Sequence, residues 1–161
     1  MSRSVGLVVA LVVLVATGCS PDTTASPTPA GSRQPVAVCE LVADVEAALG
    51  RAPIESPSTY TVGENDRCMW VVGRDPSRYI GLTVGPKGNH ETTIAALGPG
   101  EAVAGLGDGA VWWGNARTLS VVDGEAAFQV DLQLDDAEAT REVATGVAQQ
   151  VVDALGAPPP S

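Results

Sequence analysis

Val5 to Ala16 is an unbroken apolar run of 12 residues, and a cysteine, Cys19, stands three positions after its end. A helix needs ~20 apolar residues to cross a bilayer, so this run is too short to span one. Met1–Ser4 before it carries a single charge, Arg3, and the small residues Thr17 and Gly18 follow it. A positive start, a short apolar run and a small-residue exit make a secretory signal, which is removed and takes no part in the fold. The remaining chain is therefore expected to fold outside the cytosol, where thiols oxidise.

The exit, Val15-Ala16-Thr17-Gly18-Cys19, resembles a bacterial lipobox. The resemblance implies that residues 1–18 are the signal peptide and that the Cys19 thiol takes a diacylglycerol before cleavage. The new amine is then often acylated, with palmitate as a typical chain. One acyl chain binds a membrane only marginally, whereas two or more hold it stably. Ala16 occupies the position where Leu is commonest. The bland alternative is ordinary signal cleavage beside a bystander cysteine. The implied address is the extracellular face of the cell membrane, with the membrane as a partner through the lipid anchor.

Residues 19–36 continue as a linker. Ser20–Pro35 (SPDTTASPTPAGSRQP) has no hydrophobic period and cannot bury enough apolar surface to offset its ordering entropy. At ~3.1 Å per residue such a segment reaches up to roughly 50 Å, a stalk holding the domain off the membrane. Thr23, Thr24, Ser26 and Thr28 beside prolines are candidate O-glycosylation positions, although a plain linker explains them as well. The chain carries 9 Lys+Arg against 19 Asp+Glu, and loss of Arg3 with the leader leaves 8 against 19, a net charge of −11. Such a surface repels phosphate backbones and anionic headgroups, which excludes nucleic acid as a partner.

With Cys19 lipidated, two of the three cysteines remain, and an even remainder in an exported chain reads as one disulfide, Cys39–Cys68. The rival, a metal-binding or reactive thiol pair, lacks a Cys-x-x-Cys spacing, and His90 is the sole histidine. No metal site or cofactor is expected.

Hydrophobic periodicity divides residues 37–156 into one domain, followed by a disordered tail at 157–161. Val38, Leu41, Val42, Val45, Ala48 and Leu49 recur at helical spacing up to Gly50, which puts Cys39 at the start of a first helix. Thr59–Val62, Cys68–Val72 and Tyr79–Val84 read as strands between turn-rich stretches. His90–Leu97 reads as a helical turn or two and Glu101–Ala104 as a short strand. Ala110–Trp113, Thr118–Val122 and Ala126–Leu134 follow as strands. Asp123-Gly124 is the strongest hairpin signal, of the type I′ kind in which both central residues take positive φ. Phe128, Val130, Leu132 and Leu134 alternate with Gln129, Asp131 and Gln133, a sheet wet on one face. Asp135-Asp136-Ala137-Glu138 looks like a capping box for a last helix with Val143, Val147, Val151 and Leu155 on its apolar stripe, ended by Gly156. The expected fold class is α+β: an antiparallel sheet of about five to seven strands with two main helices packed on one face.

Taken in order, the lipobox cysteine, the Pro/Thr linker, "CELVADVEAALG", "CMW", "VAGLGDGAVWW", "TLSVVDGEAAFQVDL" and the Ala/Val-rich last helix resemble the small actinobacterial secreted lipoproteins known only as domains of unknown function. The resemblance covers about Cys39 to Leu155. It implies a cysteine pair joining the first helix to a strand and a cell-envelope address, and no activity.

Few residues invite chemistry. Trp70 shares a strand face with Cys68, which suggests packing on the disulfide. Trp112 and Trp113 point to opposite faces, so one belongs to the core. If the other, Trp113, lies on the surface, it and nearby Arg117 are candidate ligand contacts. Gly105-Leu106-Gly107-Asp108-Gly109 lacks the spacing of a phosphate loop and reads as a turn. Asp135, Asp136 and Glu138 suggest either a cation site or helix capping. His90 could serve a Ser–His–Asp triad, but no Gly-x-Ser-x-Gly elbow exists, and its Gly/Pro-flanked stretch reads as exposed. No convergent catalytic set emerges, so the expectation is a non-catalytic binding or scaffolding module for an unknown envelope protein or lipid. The rivals are a carrier for a small apolar or lipidic ligand and a hydrolase using His90.

Overall fold

Seven strands form one antiparallel sheet in a computed structural model that describes residues 37–51 and 56–156. The expected signal peptide, Cys19, the linker and the tail lie outside the described residues. In chain order the strands are β1 (Ser58–Val62), β2 (Asn65–Val71), β3 (Tyr79–Pro86), β4 (Glu101–Ala102), β5 (Gly109–Trp113), β6 (Thr118–Asp123) and β7 (Ala126–Gln133). Their order across the sheet is β1-β2-β3-β7-β6-β5-β4. Two meanders, β1–β3 and β4–β7, are thus joined edge to edge where β3 meets β7. The helices are α1 (Val45–Leu49), α2 (Gly88–Leu97) and α3 (Arg141–Gly156). The fold class is α+β, as expected.

Alternation along each strand separates two faces. Cys68, Trp70, Ile80, Leu82, Val130, Leu132, Leu119 and Val121 share one face through the strand registers, and all are buried. They form a single cluster with Val38, Val45, Ala144, Val147, Ala148 and Val151 of the flanking helical segments. Burying a side chain such as Leu82 contributes roughly 1.5–3 kcal/mol. The first and last helical segments therefore cover the same face, as their apolar spacing predicts.

The first helix is broken rather than continuous: a 3₁₀ turn over Val38–Leu41 precedes α1. Asp44 interrupts it by accepting a hydrogen bond from the Ala47 N–H at 2.8 Å, which caps α1. Gln150 of α3 then brackets the Asp44 backbone, accepting from its N–H at 2.8 Å and donating to its carbonyl at 2.7 Å. Cys39, in the 3₁₀ turn, is disulfide-bonded to Cys68 of β2. Trp70 stands on the Cys68 face, in the same buried cluster.

One turn and one helix cap differ from expectation. The β6–β7 loop is Gly124-Glu125, one residue later than Asp123-Gly124, because Asp123 still pairs with Ala126. Only Gly124 has positive φ there, the pattern of a type II′ turn and not of type I′. The capping box also fails. Helix α3 starts at Arg141, and Thr140 caps it by accepting from the Val143 N–H at 3.3 Å. Glu138 is drawn instead to Arg78, with Arg51 at 2.7 Å, while Asp135 pairs with Arg78 at 3.0 Å. Two arginines brought in by the fold outcompete the local backbone amides, so these acids are neither a capping box nor a cation site.

The Cys39–Cys68 bond closes a loop of 29 residues. Reduction is expected to lower unfolding free energy by about 3–4 kcal/mol on the chain-entropy account, read as a drop in denaturant midpoint with a steeper slope as the unfolded chain expands.

Candidate functional site

The second sheet face is polar along a row that crosses five strands. Tyr60 pairs with Arg67, Arg67 with Thr83, Thr83 with Gln129, and Gln129 with Ser120. Asp131 stands in the next row beside Thr118 and accepts hydrogen bonds from Thr118 Oγ1 at 2.9 Å and Gln129 Nε2 at 2.7 Å. Arg67 donates through Nε to Thr83 Oγ1 at 2.9 Å, and its guanidinium lies 5.6 Å from the Tyr60 ring centroid. The wet face read in the β7 alternation is therefore a connected network.

Helix α2 lies over the β6–β7 half of this face. It spans 10 residues, Gly88–Leu97, none of them buried, and Ile94 and Leu97 are exposed. An apolar stripe does not hold it down; polar bonds do. Asn89 Nδ2 donates to Asn65 Oδ1 at 2.7 Å, and Thr93 Oγ1 to Gln129 Oε1 at 3.2 Å. His90 Nδ1 and Ser120 Oγ share a hydrogen bond of 2.9 Å. At the far end the Trp113 indole N–H donates to the carbonyl of Gly98, the residue that terminates α2, at 2.8 Å.

Under this helix runs a cleft of about 190 Å³, lined by Asn65, Thr83, Asn89, Thr93, Ser120 and Gln129 among others. Such a volume equals about six waters' share of the liquid, room for one small polar moiety. Its lining carries no charge: amide and hydroxyl side chains stand beside the apolar Ala127 and Phe128. Gly85 makes the arrangement possible, because the Asn65–Asn89 amide bond passes directly over it and a Cβ there would collide with both amides.

Several sequence expectations are corrected here. Trp113 is not an exposed indole: it is 3 % exposed, with its polar edge spent on Gly98, while Trp112 faces the core. Arg117 is not a free cation. It sits at φ 53°, donates to the Leu134 carbonyl at 2.7 Å and pairs with Asp136. His90 is not on an exposed stretch but in the first turn of α2, partly buried and bonded to Ser120. Gly105–Gly109, by contrast, is the turn that was expected, with Leu106 plugged into the core and Asp108 accepting from the Gly124 N–H at 2.9 Å. Asn65, Asn89, Thr93, Ser120 and Gln129 were not singled out from sequence. The available signal was Ser120, a hydroxyl set between Leu119 and Val121, and the polar half of the β7 alternation.

Comparison with family models, with curated proteins and with solved structures found no match.

Gly85→Ala is expected to sever the Asn65–Asn89 bond and loosen α2, so that amide exchange in residues 88–97 accelerates while the β3–β7 ladder keeps its protection. Burial pushes the His90 imidazole below its ordinary range, against an opposing pull from Glu91. A lowered histidine pKa in the folded state means that its stabilising share is complete above the unfolded value of ~6.5 and is lost as pH falls through 6.5 toward the lowered value. Thermal midpoints recorded from pH 7.5 to about 5 should fall, and His90→Asn should flatten that slope.

Proposed function

We propose that this chain is a cell-envelope lipoprotein, anchored through Cys19 at the outer face of the membrane, whose domain is a non-catalytic binding or scaffolding module for another envelope component. The observation that carries the reading is the cleft beneath α2, where uncharged donors and acceptors line a space that the helix spans without filling. A surface of this kind suits a neutral polar group better than an anion, given the formal net charge of −10. The leader, its terminal cysteine and the resemblance to small actinobacterial lipoproteins support the anchor and the address.

The carrier reading asks for an apolar pocket of at least ~300 Å³ between sheet and helices. The layer between the sheet and α1 and α3 is filled by residues such as Leu82, Val130, Val147 and Val151, each at 0 % exposure; a groove of about 450 Å³ beside the 3₁₀ turn is large enough, but it is open and carries the charged Glu40, Asp66 and Arg67. A hydrolase is the second reading, favoured by the Ser120–His90 contact. Against it, Ser120 is only 2 % exposed beneath α2, and β6 is paired on both sides. The neighbouring backbone amides are thus engaged in ladders and not free to hold an oxyanion.

Metabolic labelling with an alkyne palmitate should mark the protein and fail in Cys19→Ala. A photo-crosslinking residue at Thr92, on the cleft rim, should capture an envelope protein or lipid in cells, with little capture from Glu142 on α3. Equal capture from both positions would exclude the cleft as the binding surface. Labelling of Ser120 by a fluorophosphonate would move the reading to the hydrolase.

A further inference from the structure

The two edges of the sheet are built differently. The β4 edge is blunted: it is two residues long, and its Glu101 is tied to Arg141 of α3. Short, charged edges of this kind discourage further strand addition. Among the described residues, no further strand pairs with β1 and no ion pair ties its side chains. Ser58–Val62 is exposed at every position and pairs with β2 residue for residue, without a bulge. From Ser56 to Gly63 the sequence carries no charge, in a chain of net charge −10. Tyr60 and Val62, 44 % and 55 % exposed, project from it on the face that carries Arg67.

We infer that the β1 edge is a self-association surface, which pairs antiparallel with β1 of a second copy about a twofold axis through Tyr60. The sequence of the strand selects that occupant. Thr59-Tyr60-Thr61 reads the same in both directions, so residue-centred antiparallel pairing sets Tyr60 against Tyr60, and Thr59 of each copy against Thr61 of the other. Aromatic–aromatic and Thr–Thr pairs are among the favourable cross-strand combinations. Each Tyr60 ring already has the Arg67 guanidinium 5.6 Å from its centroid, so pairing builds a file of Arg67, Tyr60, Tyr60 and Arg67 across the axis. The absence of charge along β1 makes it a place where two strongly acidic copies can meet with little repulsion. Pairing is isologous and closes at two copies, because it consumes the β1 edge of each and leaves only the blunted β4 edges.

A strand of five residues is ~17 Å long, and its edge buries well short of the ~800 Å² per partner typical of a stable complex. The dimer is therefore weak and concentration-dependent. Sedimentation of the intact protein over rising concentration should show monomer giving way to dimer, and Val62→Lys should raise the dissociation constant by about tenfold or more. Register is tested without touching Tyr60. Thr59→Cys and Thr61→Cys chains, mixed under mild oxidation, should join through a 59–61 disulfide identified by peptide mapping, while either variant alone should join far less. Monomer at every concentration up to about 1 mM, or joining that is equal in the mixture and in each variant alone, would overturn the inference. Retained thermal midpoints in the variants separate lost association from lost folding.

Discussion

The pairing of β3 with β7 holds the two halves of this molecule together. Each meander could form from neighbouring hairpins, but only this seam, eight residue pairs from Tyr79↔Gln133 to Pro86↔Ala126, merges them into one sheet. It places Ile80, Leu82 and Val84 against Leu132, Val130 and Phe128 at the centre of the core face. Since the partners are some fifty residues apart in sequence, their closure costs loop entropy that local contacts cannot offset until α1 and α3 cover the result.

The same seam determines where the cleft lies. With β7 occupying the inner edge of β3, the chain leaving β3 at the middle of the sheet must travel to the far edge to begin β4. It crosses over one face on the way, and the face under α1 and α3 is already filled. Helix α2 is that crossing. It lies where the topology sends it and not where a hydrophobic stripe directs it, so its contacts are amides, hydroxyls and one imidazole. Polar anchoring of a helix with no buried residue leaves space beneath it, whereas apolar packing would have squeezed that space out.

Periodicity made most of the scaffold legible. Alternation at Phe128, Val130 and Leu132 and the helical spacing of Val143, Val147 and Val151 each report a single buried face, and parity in cysteine number gave the disulfide. What stayed hidden depended on partners remote in sequence. Glu138 looks like a capping residue until Arg51 and Arg78 arrive beside it. Trp113 looks available until the end of α2 is laid over it. The cleft joins Asn65, Asn89, Ser120 and Gln129 from four separate elements, and no spacing rule links them. In the Gly124 turn the register of the ladder overrode the preference of a dipeptide for a particular loop position.

The disulfide also governs how the domain carries mechanical load. A pull on the chain before Ala37 reaches Cys39 within two residues, and the covalent bond passes it to Cys68 in the middle of β2. The intervening segment, α1 and β1 included, is short-circuited and feels no tension. Force then enters the sheet at a strand hydrogen-bonded on both sides, so that the ladders to β1 and β3 share it.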